Sequence, residues 1–166
     1  MKKLFSLLLI VTLLLTCCSG ALATSATFAN TKVFLDMLDE KGISYTMVGI
    51  DPDGDEKVEI DNTSEFFSYT LKFFFTPDNE TINIRVWDVI HFDEEDLTKV
   101  IRDVNSLNAG YKWIKFYVDE TDNTVTASMD LIVRENGRVD EVAWEGTLSM
   151  VDLLDIGYEL LSVYNK

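Results

Sequence analysis

Large apolar residues recur at every second position through the middle of the chain, in the segment 66–75. Every second residue there is large and apolar, namely Phe67, Tyr69, Leu71, Phe73 and Phe75. Only a strand places such a set on one face, because successive side chains of a strand point to opposite sides of the sheet. A turn at 77–80 follows, and the alternation then resumes with Ile82, Ile84 and Val86. The two segments predict an antiparallel hairpin.

Three other segments repeat their apolar residues every three or four positions, which is the period of a helix. The first, at about 30–41, has a stripe made of Val33, Phe34, Met37 and Leu38. Gly42 is typical of a helix C-cap. The second runs from a predicted N-cap at Asp93 to Gly110, with apolar residues at Leu97, Val100, Ile101, Val104 and Leu107. The third follows Gly137, and its face consists of Met150, Leu153, Leu154, Gly157, Tyr158, Leu161 and Tyr164. Gly157 is expected to allow a close approach to the sheet.

Four further strands complete the predicted elements. Two lie at 43–50 and 56–62, on either side of an Asp-Pro-Asp-Gly-Asp turn at 51–55. The other two face each other across an Asp-Asn turn, with apolar residues at Ile114, Phe116, Val118, Val125, Ala127, Met129, Leu131 and Val133. The order is therefore helix, three or four strands, helix, two strands, helix. We predict an α+β fold in two layers, with three helices on an antiparallel sheet of five or six strands.

The N-terminal segment has the pattern of an export signal. Lys2 and Lys3 precede an unbroken apolar run at 4–15, which is shorter than the ~20 residues of a membrane-spanning helix. Small residues at Ala21 and Ala23 are typical of a cleavage site. We therefore expect a signal peptide over 1–23, a flexible lead-in over 24–30 and one domain over 31–166, secreted or held in the cell envelope.

Cys17 and Cys18 leave an alternative open, because both lie at the end of the apolar run, where a lipoprotein carries its acylated cysteine. Cleavage after Ala23 would remove both thiols and leave no disulfide.

The charge limits the class of partner. The chain holds 14 basic and 29 acidic residues, a net charge of −15, and loss of Lys2 and Lys3 would make it more negative. Such a surface repels phosphate backbones and anionic membranes. We expect no nucleic-acid partner, and no membrane contact unless Cys17 or Cys18 is lipidated.

Catalytic and metal-binding motifs are weak. His91, the single histidine, would have to serve any serine or cysteine nucleophile, and it is expected to be a surface or cap-packing residue. Asp51, Asp53 and Asp55 resemble the opening of a calcium loop, but Gly54 comes too early for that pattern. A hairpin turn is expected there, with weak calcium binding as the alternative. We predict no enzyme, no catalytic or metal residues and no cofactor.

The stretch from Leu97 to Val133 resembles the YbjN-like family, described as bacterial sensory-transduction regulators. The shared features are a helix ending in Asn105 and Asn108, a strand Lys115–Asp119, and a strand ending in Met129-Asp130-Leu131. The resemblance implies a fold like that of type III secretion chaperones, which are small, acidic and often dimeric. The family has no agreed active-site residues, so the resemblance assigns none to this sequence.

The outer face of the predicted sheet is the strongest functional candidate. The strand positions that alternate with the buried apolar ones point to this face. They are Phe66, Lys72, Phe74, Arg85, Trp87, Val89, Trp113, Lys115 and Tyr117. An ordinary solvent face is expected instead at Thr124, Thr126 and Ser128. Exposed aromatic residues with a basic rim indicate a contact surface. The alternative is that the stems of lysine and arginine, or the segment near Trp144, cover the rings.

The predicted partner-binding residues are Phe74, Arg85, Trp87, Trp113, Lys115 and Tyr117. The main hypothesis is an exported, non-enzymatic binding or chaperone-like module that acts through this face, as a homodimer or on a protein partner. The alternatives are a small-ligand or calcium-binding sensor domain and a small secreted hydrolase.

Overall fold

The predicted α+β architecture is confirmed by the computed structural model, which describes residues 25–133 and 137–166. The helices are α1 (Ala29–Lys41), α2 (Leu97–Gly110) and α3 (Val139–Leu161), with single 3-10 turns at Glu94–Asp96 and Ser162–Tyr164. The strands are β1 (Thr46–Ile50), β2 (Glu56–Thr63), β3 (Ser68–Phe75), β4 (Thr81–His91), β5 (Ile114–Asp119) and β6 (Thr124–Ile132). The predicted signal peptide over 1–23 lies outside the described residues.

The six strands form one antiparallel sheet in the order β1-β2-β3-β4-β6-β5. The first four strands follow one another as a meander. The second hairpin, β5–β6, then pairs with β4 through its later strand, so that β5 becomes an edge.

The core lies between the sheet and the helices, and the predicted apolar faces of the strands are buried there. Phe34 of α1 packs on Phe73 and Phe75 of β3, with ring centroids 4.7 and 5.4 Å apart. Gly157 of α3 lies against the ring of Phe116 in β5, as the sequence predicted. Val33 is the exception on α1, because it is exposed while the rest of its stripe is buried.

The N-terminus of α1 is held by the sheet. The carboxylate of Glu56 is fully buried and accepts the backbone N–H groups of Thr27 at 2.6 Å and Phe28 at 2.8 Å. Asn30 bonds Asn79 of the β3–β4 turn through both its backbone N–H and its side-chain amide. Hydrogen bonds therefore hold residues 27–30 against the sheet and the β3–β4 turn.

Both edge strands of the sheet, β1 and β5, depart from a regular edge that exposes unpaired backbone groups. In β1 the register shifts between Met47 and Gly49, and Gly49 has φ 105°, a backbone conformation that favours glycine. At β5, the side-chain amide of Asn108 donates to the carbonyl of Phe116 at 2.7 Å and accepts its N–H at 2.8 Å. Helix α2 thus satisfies part of an edge that would otherwise attract another strand.

Candidate binding surface

Five residues on β2, β3 and β4 form a compact aromatic and cationic group on the face opposite the helices. Phe74 and Trp87 meet edge to face, with ring centroids 5.9 Å apart. The Lys72 ammonium lies 3.9 Å from the centroid of the Trp87 ring, and the Lys57 ammonium lies 5.6 Å from it. The guanidinium of Arg85 lies 5.6 Å from the centroid of Phe74. We call these five residues the cationic–aromatic patch.

The register of the strands brings the patch together. Lys57 is directly opposite Phe74, and Lys72 is directly opposite Arg85. Trp87 comes two residues after Arg85 on β4 and so points to the same side. The patch therefore follows from the same alternation that buries the other face of these strands.

The rings of the patch are covered to different extents. Phe74 is only 9% exposed, so that the surrounding side chains do cover it, as the alternative interpretation holds. Trp87 keeps 37% of its surface exposed beneath Lys72. Trp144 does not take part, since it lies on α3 and stacks with Lys41 at 4.4 Å. Trp87 is thus the ring that remains open to a partner.

The three cations of the patch have carboxylates close to them. Glu59 Oε1 lies 2.7 Å from Lys57 Nζ and 4.0 Å from Lys72 Nζ, and one carboxylate thus serves two of the three cations. Partial burial lowers the pKa of Lys72 from its ordinary value, and the charge of Lys57 lowers it further. The carboxylates of Glu59 and Asp88 raise it in part. The Nε of Arg85 is buried and has no hydrogen-bond partner within the described part of the chain.

Three predicted site residues, Trp113, Lys115 and Tyr117, do not join the patch. These residues could meet Trp87 on one surface only if β4 and β5 were neighbours, but β6 lies between the two strands. The Lys115 ammonium is bound at the edge, where it donates to the carbonyls of Asn108 at 3.3 Å and Tyr111 at 3.1 Å, at the C-terminal end of α2. Tyr117 is 41% exposed and lines a cleft between β5 and α2.

Trp113 and Phe66 lie on the helix side of the sheet and not on its outer face. Trp113 precedes β5 in a bend, is 71% exposed, and lies beside α3 together with Met129 and Leu131. Phe66 precedes β3, and its ring centroid lies 6.4 Å from that of Tyr158 in α3. Both residues are just outside a strand, where the two-residue period no longer fixes the side.

The prediction that Thr124 and Thr126 of β6 face solvent is wrong. Thr124 is 2% exposed and Thr126 is 3% exposed, whereas Ser128 is partly exposed. Thr126 pairs with Tyr117 on one side. On the other side, the register of β4 shifts between Val86 and Ile90, so that extra β4 residues lie beside it. A short side chain between larger neighbours is shielded from water.

The aspartate turn at 51–55 is a hairpin turn, as predicted. Asp51 Oδ1 accepts the backbone N–H groups of Asp53 at 2.9 Å and Asp55 at 3.0 Å. Burial, followed by the charges of Asp51 and Asp53, raises the pKa of Asp55. Over residues 25–133 and 137–166, no three His, Cys, Asp or Glu side chains are grouped to hold a metal ion.

His91 is exposed at the end of β4 and takes part in the fold through its backbone. Its N–H donates to Asn165 Oδ1 at 3.0 Å, and its carbonyl accepts from the N–H of Lys166 at 3.2 Å. These bonds fasten the C-terminal segment to β4, which is a structural role.

Sequence reasoning missed Lys57 and Glu59 of the outer face. Both lie on β2, whose polar positions alternate with the buried Val58 and Ile60. The alternation was visible in the sequence, and only the pairing of β2 with β3 was needed to place Lys57 beside Phe74.

No helix in the described ranges has both the length and the apolar character of a membrane span.

A comparison with proteins of curated function returned no match. Among solved structures, a similar one is the "Crystal structure of YbjN, a putative transcription regulator from E. coli", with a TM-score of 0.59 and 14% identity. The match covers 84% of this chain and 96% of that one, and it shows the shared fold. The sequence pattern of the YbjN family, described as "Putative bacterial sensory transduction regulator", matches residues 32–149. The chain therefore belongs to the YbjN family.

Proposed function

We propose that this protein is a non-enzymatic binding module that holds an acidic segment of a partner protein on its cationic–aromatic patch. The observation that carries the proposal is the exposed part of Trp87 beside three cations, on the face of the sheet that none of the helices α1 to α3 covers within residues 25–133 and 137–166. Tryptophan and arginine are the residue types that dominate binding energy at interfaces. Membership of a family of described regulators agrees with a binding role.

The charge of the patch supports an acidic partner. The protein as a whole carries −15, yet this patch gathers Lys57, Lys72 and Arg85. Glu59 pairs with the two lysines, and Asp88 and Asp55 act on Lys72 and Arg85 from nearby. Complementary charge guides association and suppresses wrong partners. Partial burial of Lys72 lowers its pKa from the ordinary value, which indicates that its ammonium is poorly hydrated and would gain from a carboxylate of a partner.

Self-association through the patch is the less favourable arrangement. A two-fold dimer brings the same surface of both copies together, and here it would oppose three cations with three cations. A second copy would have to present an acidic surface such as α3, which holds six carboxylates and no lysine or arginine. We therefore favour a different protein as the partner and keep the homodimer as an outcome of the test.

We also propose that the domain works outside the cytoplasm, in soluble form. The charged, apolar and small residues of 1–23 support this. Intact-mass analysis of the exported protein should give a chain that begins at Thr24. The mass of a lipid-bearing chain that begins at Cys17 or Cys18 would contradict it.

Capture of partners by the immobilised protein tests the function. Wild type, Trp87→Ala and Lys72→Glu are exposed to culture medium and envelope extract, and Lys112→Glu serves as the charge-matched control on an exposed loop residue. We expect an acidic protein that binds wild type and the control, that is lost with both patch variants, and that is released by salt.

The same four proteins are examined by light scattering. A dimer that both patch variants abolish would assign the patch to self-association. If no protein is captured through the patch and all four proteins are monomers, the patch is an ordinary solvated sheet surface and the proposal fails.

A further inference from the structure

An apolar cavity lies on the helix side of the sheet, on the face opposite the cationic–aromatic patch. Its volume is about 370 Å³, within the ~300–1,000 Å³ range of small-molecule sites. The lining residues come from the bend before β5, from β6 and from the first half of α3, and they are Trp113, Met129, Leu131, Glu141, Val142, Glu145, Gly146 and Ser149.

The cavity is bounded by a close contact between helix and strand. A methyl group at Gly146 would lie 2.5 Å from Leu131 Cδ1, so that α3 and β6 nearly touch at this point. Met129 is buried at 2% exposure and forms part of the apolar lining. Trp113 is 71% exposed and stands at the opening, where its ring presents a large apolar surface to water.

The opening is acidic. Glu141 and Glu145 both line it from α3. The carboxylate of Glu141 is paired with Arg138 at 2.9 Å, whereas Glu145 has no ion pair within the residues that the structure describes. An indole face and a carboxylate both attract a cation, the first through the quadrupole of the ring. The lining therefore combines an apolar interior with an opening that favours positive charge.

We propose that this cavity binds a small organic cation with an apolar body, such as an alkylammonium ion. The ammonium group lies between Glu145 and Trp113, and the alkyl chain lies against Met129 and Leu131. A neutral molecule of the same shape gains only the apolar contacts, and a carboxylate is repelled by Glu145. The site is independent of the cationic–aromatic patch, which selects the opposite charge.

Titration of the purified protein with octylammonium, octanol and octanoate tests the site. Binding is followed by NMR through the methyl signals of Met129 and Leu131 and the indole signal of Trp113. We expect shifts at these three residues with octylammonium and an affinity about five- to thirty-fold higher than that of octanol, from one cation–ring contact and one exposed ion pair. Octanoate should bind more weakly than octanol.

Two substitutions of α3 separate charge from shape. Glu145→Gln keeps the shape of the side chain, and it should reduce the affinity for octylammonium about two- to five-fold while that for octanol is unchanged. Asp152→Asn is the matched control, because Asp152 is exposed on the same helix and does not line the cavity; it should leave both affinities unchanged.

A third substitution fills the cavity. Ser149→Leu should abolish the shifts with every probe. The proposal is overturned if octylammonium and octanol bind equally, if Glu145→Gln and Asp152→Asn behave alike, or if no probe shifts Met129 and Leu131.

Discussion

Replacement of Gly157 by alanine adds a methyl group where α3 packs closely against the sheet. That methyl carbon would lie 2.4 Å from Cζ and 2.8 Å from Cε1 of Phe116, distances at which something must move. The ring of Phe116 is rigid and only 2% exposed, so that it has no solvent to move into. Either the ring leaves its preferred rotamer or α3 lifts from β5.

The change in the free energy of unfolding caused by Gly157→Ala is the sum of two opposing contributions. Crowding of a packed core by an extra carbon costs ~1–3 kcal/mol, and a contact as short as 2.4 Å places Gly157→Ala toward the upper end. Alanine is favoured over glycine inside a helix by ~1 kcal/mol, which offsets part of the cost. We expect Gly157→Ala to lower the free energy of unfolding by about 1–2 kcal/mol.

Gly110→Ala isolates the steric contribution. Gly110 is also helical, at the end of α2, and a methyl group there meets nothing within 4 Å. This variant should be as stable as wild type or more stable by up to ~1 kcal/mol. Urea unfolding followed by circular dichroism measures both. If the two variants have equal stability, the helix is not held against Phe116 as described.

A double variant adds a second check. Phe116→Leu removes the ring atoms that the new methyl group meets, so Gly157→Ala should cost less on that background, with a coupling of ~1 kcal/mol or more.

Gly146→Ala should destabilise the domain less than Gly157→Ala does. Its contact at 2.5 Å is with the end of the flexible Leu131 side chain, which can turn into the adjacent cavity.

Two further predictions concern α2 and the patch. Asn108→Ala should lower the free energy of unfolding by ~1–3 kcal/mol, because two hydrogen bonds to the backbone of Phe116 are lost; the exposed Asn105→Ala is the control, and an equal effect of both in urea unfolding would contradict the role of Asn108. Lys57→Met should raise the pKa of Lys72 in an NMR titration, because the charge of Lys57 lowers that pKa after burial does. An unchanged or lower pKa would mean that the two ammonium groups do not interact.

The elements that were predictable from sequence are those fixed by local spacing. The alternation through β3 gave the buried face and the hairpin with β4, since a one-residue slip would have exposed the whole apolar set. Gly42 was predicted to end α1, and it does so with φ 68°. Gly157 was predicted to bring α3 close to the sheet, and its contact with Phe116 confirms this.

The order of the last two strands could not be predicted from spacing. A hairpin can join a sheet through either of its strands, and β5–β6 joins β4 through β6. That single choice separates Lys115 and Tyr117 from Trp87 and divides the predicted site. The irregular register of β4 between Val86 and Ile90 likewise changes which residues surround Thr126. No local sequence pattern predicts this irregularity.

The two proposed sites differ in charge, and this makes them separable in one set of measurements. The cationic–aromatic patch gathers Lys57, Lys72 and Arg85 on the outer face, while α3 contributes only carboxylates on the other. Salt weakens both sites, because both are partly exposed, but each substitution should affect one of them. Lys72→Glu should remove an acidic partner and leave octylammonium binding intact, and Glu145→Gln should do the reverse. If either substitution changed both kinds of binding, the sites would be coupled through the sheet, and the assignment of a separate ligand to each face would be wrong.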